Sequence, residues 1–272
     1  MKIKQIASAA ALCVGAALSL PAAAATITNT DGPISPWAGF DWASGGTFFT
    51  TGWTGVNDSS FGLTVFAVAV SLLDPGGAAI PALRLDANPN GVQFAPNWYE
   101  YTLVATVNET ISGCTLLSCN FAINSGTFDI YYDPTANANA GAGLLGTGFL
   151  NGTKIISGVI GAQAGGSFST TGSGSNSTNV QATVTFTDPA FINPQLATAN
   201  STTTLQLGTS ITAWANPGGF NSVAFGAGEI VGQADANTSF TTQNVPEPGT
   251  LSLLALALLG GGAVARRRKA HQ

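Results

Sequence analysis

Between its two ends, this chain offers only carboxylates as groups that could act in catalytic pairs. The single histidine is His271, the second-last residue, so the rest of the chain has no Ser-His-Asp triad, Cys-His pair or His-ligated metal. A glycoside hydrolase needs only two acids about 5–10 Å apart. Glu100 and Asp129, both on predicted strands, are the pair worth testing as such acids. Ordinary surface positions are the favoured interpretation, because sequence separation says nothing about the distance between two carboxylates.

Residues 86–91 match the opening of a calcium-binding loop. They read Asp-Ala-Asn-Pro-Asn-Gly, which fits the D-x-N-x-N-G pattern. The twelfth position is Asn97 instead of glutamate, and Pro89 restricts the loop. A hairpin turn is therefore the favoured interpretation. We predict no metal and no cofactor.

Tryptophan is concentrated early in the chain, at Trp37, Trp42 and Trp53. If these rings were exposed on a sheet, they could stack on sugars, as in a carbohydrate-binding module. Core positions are favoured, because burying a tryptophan stabilises a fold more than displaying it does.

Apolar and polar residues alternate with a period of two in the elements that must position these side chains. This pattern is typical of half-buried antiparallel strands. It is clear in Trp98–Val107, Thr127–Tyr132 and Asn179–Thr187, and weaker in Lys154–Ala164 and Thr202–Trp214. Phe61–Leu73 is apolar on both sides, which predicts a strand covered on both faces, with a short helix as the alternative. Residues 136–148 and 165–178 are expected to be loops.

These patterns predict an all-β fold, an antiparallel β-sandwich of the jelly-roll or immunoglobulin-like kind. Turn sequences such as Asn88–Gly91 and Asn216–Gly219 separate the strands, and no long helical period occurs between residues 25 and 245. About 220 residues are enough to bury one core. We therefore expect one ectodomain, residues 25–244.

The first 24 residues have the three-part layout of a secretory signal peptide. Lys2 and Lys4 precede an apolar run from Ile6 to Leu20, and small residues then lead to Ala25. The alternative, a first transmembrane helix, would need a longer run. We expect residues 1–24 to form a signal helix that enters the Sec translocon and is removed by signal peptidase.

The last residues repeat this layout in reverse. Pro246-Glu247-Pro248 interrupts any helix, Leu251–Ala265 is apolar or glycine apart from Ser252, and Arg266-Arg267-Arg268 follows. As a helix, the apolar run would rise about 22 Å, which is less than the hydrocarbon core of about 30 Å. Such a hydrophobic helix would hold the chain in the inner membrane only transiently, with its basic end in the cytoplasm.

This tripartite ending, residues 245–272, resembles a PEP-CTERM sorting signal. In that family a membrane-embedded exosortase recognises the signal and cleaves near the PEP residues. The resemblance therefore implies export to the cell surface or extracellular matrix, with cleavage near Glu247. Members are usually linked to exopolysaccharide and biofilm.

A second, longer resemblance is to the flocculation-associated PEP-CTERM group. Tyr99–Leu103, Gly126–Pro134, Gly152–Gly158 and Ala182–Asp188 are similar to segments that recur there in the same order. The resemblance runs from about Trp98 to Phe191 and does not extend to the preceding third of the chain. It implies a protein that helps cells to cohere in exopolysaccharide flocs.

Export also determines which cysteines remain in the protein and whether they can form a disulfide. Cys13 would leave with the signal peptide, and Cys114 and Cys119 would remain, separated by four residues. In an oxidising compartment, we expect this close pair to form a disulfide across a turn, with two free thiols as the alternative. No third ligand lies nearby to complete a zinc site.

Export makes the remaining chain strongly acidic. Between residues 25 and 245, Arg84 and Lys154 oppose twelve Asp and Glu, which gives a net charge of −10. Neither nucleic acid nor an anionic lipid surface is expected as a partner. We expect a non-enzymatic, secreted structural or adhesive matrix protein that supports flocculation or biofilm with exopolysaccharide. A non-catalytic carbohydrate-binding module is the alternative, and a glycoside hydrolase is a more distant one.

Overall fold

The computed structural model describes residues 25–42, 46–54, 56–115, 118–142, 146–169, 176–208 and 231–242. Every regular element in these ranges is a β-strand, which confirms the all-β prediction there. The expected signal helix and the expected C-terminal sorting helix lie outside the described residues.

Fifteen strands occur within the described ranges, and they are numbered in chain order. They are β1 (Ala25–Asn29), β2 (Gly32–Trp37), β3 (Gly39–Asp41), β4 (Gly46–Thr51), β5 (Ser60–Val68), β6 (Ser71–Leu73), β7 (Ala79–Ile80), β8 (Glu100–Cys114), β9 (Ser118–Asp133), β10 (Thr153–Ile160), β11 (Gln163–Ser169), β12 (Asn176–Thr187), β13 (Ile192–Asn193), β14 (Leu196–Gly208) and β15 (Val231–Thr242).

All the strand pairings are antiparallel, and they make a sandwich-like fold. The main sheet runs β14-β12-β10-β9-β8-β5-β4-β15-β3-β6-β7, with β11 alongside β9. A further pairing joins β14 to β15, so eight of these strands form a ring that encloses the core. A small sheet, β13-β1-β2, packs its buried side chains against the same core.

The long β8–β9 hairpin shows how the period-two pattern becomes two faces. On β8, Tyr101, Leu103, Val107 and Ile111 point into the main core. Thr106 and Asn108, which alternate with them, are exposed. The pattern in Trp98–Val107 therefore predicted the inner face of this strand correctly, although the strand continues to Cys114.

The structure differs from the expectations in three segments. Phe61–Leu73 divides into β5 and β6, and the predicted cover on both faces holds only from Val65 to Val68, because Gly62 and Thr64 are half-buried. The predicted loop 165–178 is partly strand, because residues up to Ser169 pair with β9 and β12 begins at Asn176. Residues 136–142 and 146–148 lie in a loop as expected, but Ala136, Ala138 and Ala140 are buried.

A disulfide joins Cys114 and Cys119, so the predicted pairing is confirmed. The two residues are directly opposite each other at the tip of the β8–β9 hairpin. Closing such a short loop restrains the unfolded chain only modestly, by about 3 kcal/mol or less. The bond therefore fastens the tip of a hairpin whose register is already set by pairing along its whole length.

Glu109 lies on the inner face of β8. Its partners across the sheet are Phe61 on β5 and Ile123 on β9, both buried apolar residues. Glu109 itself is only 7% exposed. Burial raises the pKa of its carboxyl group to about 7, because the charged form is poorly solvated there.

We predict that Glu109→Gln reduces the loss of stability between pH 4.5 and 8. Because the pKa of the Glu109 carboxyl is higher in the folded protein, the protonated group contributes its full stability below pH 4.5, the ordinary pKa of a glutamate. That contribution is lost as the pH rises through about 7, at a cost of about 1–3 kcal/mol. Thermal unfolding at pH 5 and pH 8 would measure the difference.

The matched control is Asp58→Asn, at an exposed turn position. It should keep the pH dependence of the wild type. An unchanged pH dependence in Glu109→Gln would show that the Glu109 carboxyl is not in an apolar site.

Candidate functional site

The two carboxylates that the sequence offered for catalysis do not form a pair. Glu100 is opposite Asp133, whereas Asp129 is opposite Val104. Four residues along a strand correspond to about 13 Å, which exceeds the separation that a glycosidase pair requires. The register of β8 and β9 therefore gives each of these acids a separate environment.

Asp129 takes part in a surface cluster on the outer face of β9 and β10. Ser157 Oγ donates a hydrogen bond to Asp129 Oδ1 at 2.5 Å, and Lys154 Nζ lies 2.9 Å from Oδ2. Burial acts to raise the pKa of Asp129, but these two donors outweigh it and the pKa is lowered. Lys154 also lies 5.6 Å from the centre of the Tyr131 ring. Asp129 is thus held as an ionised partner, which suits an ion pair and not a general acid.

Glu100 and Asp133 together hold the loop between β9 and β10, of which residues 134–142 and 146–152 are described. Glu100 Oε1 accepts hydrogen bonds from the backbone N–H groups of Asn137 and Ala138, both at 3.0 Å. Asp133 accepts from Thr135 N at 2.8 Å and from Asn137 Nδ2 at 3.2 Å. Both carboxylates are therefore used to fix the backbone of this loop, here called the 134–152 loop.

Burial beneath the loop raises the pKa of Glu100 to about 7, although the two backbone donors act in the opposite direction. Asp133 and Asp86 add repulsion that favours the protonated form. Glu100 is 1% exposed. A ligand would have to displace the loop to reach it, so its raised pKa reflects a structural position.

The 134–152 loop covers part of the outer face of the sheet with a second, smaller core. Ala138, Ala140 and Phe149 pack there against Phe66 and Val68 of β5. The rings of Phe66 and Phe149 are 4.9 Å apart. The outer face of β5 is apolar in this region because the loop, and not solvent, covers it.

The segment that resembled a calcium site lies in a second loop, residues 81–98. Asp86 is 3% exposed, and its two oxygens accept hydrogen bonds from Asn88 N at 3.1 Å and Phe94 N at 2.9 Å. The favoured alternative, a hairpin turn, is wrong, because β7 and β8 do not pair with each other. Among the described residues, no three of His, Cys, Asp and Glu are grouped so that they could hold a metal.

Backbone hydrogen bonds tie the 81–98 loop to the 134–152 loop. Gly91 N donates to Ala138 O at 2.8 Å, and Ala140 N donates to Pro89 O at 2.9 Å. Gly91 has φ of +75°, and a Cβ atom there would lie 2.7 Å from Asn139 Nδ2. Only glycine fits this close approach without strain. The two loops therefore form one continuous surface.

The structure rules out two of the three tryptophans proposed for sugar stacking. Trp37 and Trp42 are 0% exposed, and Trp42 Nε1 donates to Thr238 Oγ1 at 2.9 Å. Trp53 is half-buried and meets Phe61 and Phe121 edge-on at 5.1 and 5.7 Å. The rings of all three tryptophans pack in or against the core, which was the favoured interpretation of the sequence. Trp37 and Trp42 therefore have no open face on which a sugar could stack.

An aromatic pair that the sequence analysis missed lies on the 81–98 loop. Phe94 is 74% exposed, and its ring centre is 4.6 Å from that of Trp98. Phe94 does not stand out by sequence spacing, because the loop has no periodic pattern, and Trp98 was assigned to the start of the predicted strand Trp98–Val107. The only signal was negative: Phe94 lies among turn-forming residues, outside any predicted strand.

The described residues also form two concave regions. A cavity of about 50 Å³ inside the ring is lined by apolar side chains such as Leu103, Val107 and Phe128, and it is too small for a sugar. A shallow groove of about 380 Å³ crosses the outer faces of β5, β8 and β9, with Thr64, Thr106 and Thr127 in its lining. The groove is a rival surface to the aromatic pair.

The described strands end just before the residues assigned to sorting. β15 ends at Thr242, and Pro246, Glu247, Pro248 and Arg266–Arg268 lie outside the described residues. Within the part of the chain that the structure covers, no helix is long and apolar enough to cross a membrane.

Comparison with protein-family models matches residues 244–269 to one model, the PEP-CTERM protein-sorting motif. The chain carries a PEP-CTERM sorting motif. This motif implies that an exosortase processes the protein and that it is exported to the cell envelope or surface. No match was found among curated proteins or among solved structures.

The position of the PEP-CTERM motif fits the fold. The motif begins two residues after the end of β15. Removal of the chain beyond Glu247 would therefore leave every described strand in place.

We predict that Glu100→Ala releases the 134–152 loop while the hairpin stays paired. Loss of the acceptor leaves the Asn137 and Ala138 amides without a buried partner, at a cost of about 1–3 kcal/mol. These amides should exchange with solvent about tenfold to a hundredfold faster, as measured by hydrogen exchange.

Thr106→Ala is the matched control, because it changes an exposed outward-facing residue of the same strand. It should leave both amides protected. Equal protection in wild type and Glu100→Ala would contradict a role for Glu100 in holding the loop.

Proposed function

We propose that this protein is a non-enzymatic, structural or adhesive component of an extracellular matrix. In this role it supports flocculation or biofilm together with exopolysaccharide. The observation that carries the proposal is the PEP-CTERM motif at residues 244–269, because the motif implies an exported protein processed by an exosortase. The resemblance of Trp98–Phe191 to flocculation-associated members supports the more specific role.

The proposed route has three steps. Residues 1–24 direct the chain to the Sec translocon and are removed by signal peptidase. The C-terminal apolar segment then holds the chain in the inner membrane transiently. Exosortase cleavage near Glu247 finally releases the ectodomain to the cell surface or matrix.

The partners of four acids support a non-enzymatic protein. Glu100 and Asp133 bind the backbone of the 134–152 loop, Asp129 forms an ion pair with Lys154, and Asp86 fixes the 81–98 loop. Each of these four carboxylates already has a structural partner. A glycosidase would need two acids facing one open cleft.

The second candidate function is a carbohydrate-binding module without catalysis. The observation that favours it is the exposed ring pair of Phe94 and Trp98. The two candidates are compatible, since a matrix protein that binds polysaccharide would serve both roles.

A deletion strain tests the proposed function. We expect cells without the protein to settle more slowly, because the protein links cells or polymer after secretion. The yield of exopolysaccharide should stay at the wild-type level. Settling of cultures and total polysaccharide are the two measurements, and a strain complemented with the full chain is the control.

Three results would contradict the proposal. Unchanged settling would remove the matrix role, and a fall in polysaccharide yield would point to a role in synthesis. An enzyme would be indicated if the exported protein released reducing ends from the exopolysaccharide and lost this activity in Glu100→Gln or Asp129→Asn.

A further inference from the structure

Phe94 and Trp98 form the most exposed aromatic surface among the described residues. Their ring planes are inclined by 43° with centres 4.6 Å apart, and Phe94 is 74% exposed while Trp98 is half-buried. Leu83 and Val92 on the same loop are also exposed, at 86% and 68%. Large apolar side chains left in water on one loop favour an interaction site there.

The loop holds the backbone of Phe94 and Trp98 in a defined position. Phe94 N donates to Asp86 Oδ2 at 2.9 Å, and Gln93 Nε2 donates to Trp98 O at 2.7 Å. Ala136 N of the 134–152 loop also donates to Trp98 O, at 3.2 Å. A ligand would therefore meet a preformed surface and would not need to order it, which favours binding.

The chemistry around the rings fits an uncharged partner. Between Leu85 and Trp98, Asp86 is the one charged residue, and it is buried and bonded to backbone amides. The exposed polar side chains are amides, those of Asn88, Asn90 and Asn97. A pyranose sugar matches this set, because its C–H face stacks on aromatic rings and its hydroxyls pair with amides.

The net negative charge of the protein also favours an uncharged sugar over anionic partners. The net charge of −10 between residues 25 and 245 repels anionic lipid headgroups and polyanions. The ring pair and its neighbours carry no exposed cation to offset that repulsion, since Arg84 is paired with Asp31.

We propose that Phe94 and Trp98 are the platform on which this protein binds an uncharged polysaccharide. A pyranose ring stacks on the aromatic pair, and its hydroxyl groups form hydrogen bonds with the surrounding asparagine amides. This inference deepens the proposed matrix function and rests on it for the presence of a polysaccharide.

The test uses variants made in the full chain, exported by the producing bacterium and purified from floc or medium. Affinity electrophoresis in gels containing dextran, a soluble β-glucan or hydroxyethylcellulose measures the binding, with alginate as an anionic polymer. At least one uncharged polymer should retard the wild type. Phe94→Ala and Trp98→Ala should each weaken this binding about tenfold, as expected for loss of one central aromatic contact.

Three further variants test whether the loss of binding is specific to the aromatic rings of this site. Phe94→Leu keeps an apolar side chain but removes the aromatic face, so it should weaken binding as well. Phe186→Ala removes a different exposed phenylalanine, which is 44% exposed on β12, and should bind like the wild type. The double variant Thr106→Val, Thr127→Val alters the rival groove and should also bind like the wild type.

Four results would overturn the proposal. These are no retardation by any uncharged polymer, full binding by Phe94→Ala and Trp98→Ala, loss of binding only in the groove variant, and Phe94-dependent binding to phosphatidylcholine vesicles in place of the polymers. The settling test is independent of this one. Normal settling in the deletion strain would refute the matrix role alone, and unaltered binding by the ring variants would refute the site alone.

Discussion

The pairing of β15 on both of its edges is the constraint on which the rest of this structure depends. One edge pairs with β14 and the other with β4 and β3, so this strand closes the ring around the main core. Ala234, Ala236 and Phe240 of β15 are buried there. Each square ångström of apolar surface removed from water contributes about 25 cal/mol. An open sheet would leave that surface, and two strand edges, in contact with solvent.

The outer face depends in turn on a few buried carboxylates. Glu100 holds the 134–152 loop by backbone hydrogen bonds, and that loop holds the 81–98 loop through Ala138 and Gly91. The second loop positions the rings of Phe94 and Trp98. The buried Glu100 carboxylate, acting through the 134–152 loop, thus helps to position the exposed rings on the 81–98 loop. Glu100 and Asp129, the two acids that the sequence suggested for catalysis, serve as hydrogen-bond acceptors within the structure.

Period-two patterning predicted the antiparallel all-β fold and the inner face of β8, and the energetic gain from burying tryptophan favoured the buried state of Trp37 and Trp42. It did not predict the β14–β15 closure, because pairing between strands distant in sequence leaves no local signal. The exposed ring of Phe94 was missed for a related reason: burial and exposure in a loop depend on tertiary contacts, and the Asp86 hydrogen bonds that shape this loop are visible only in three dimensions. The close cysteine spacing, by contrast, is a local signal, and the disulfide followed from it.

The central claim is that all the described strands precede the PEP-CTERM motif, so that processing at this motif leaves them in the exported protein. Intact-mass spectrometry of the protein from the extracellular fraction tests this claim most directly. The account predicts a folded species that ends near residue 246, retains all of β15 and lacks the Arg266–Arg268 cluster. Recovery from that fraction of peptides that continue from Glu247 into Leu251–Arg266 would contradict it and would favour a plain membrane anchor.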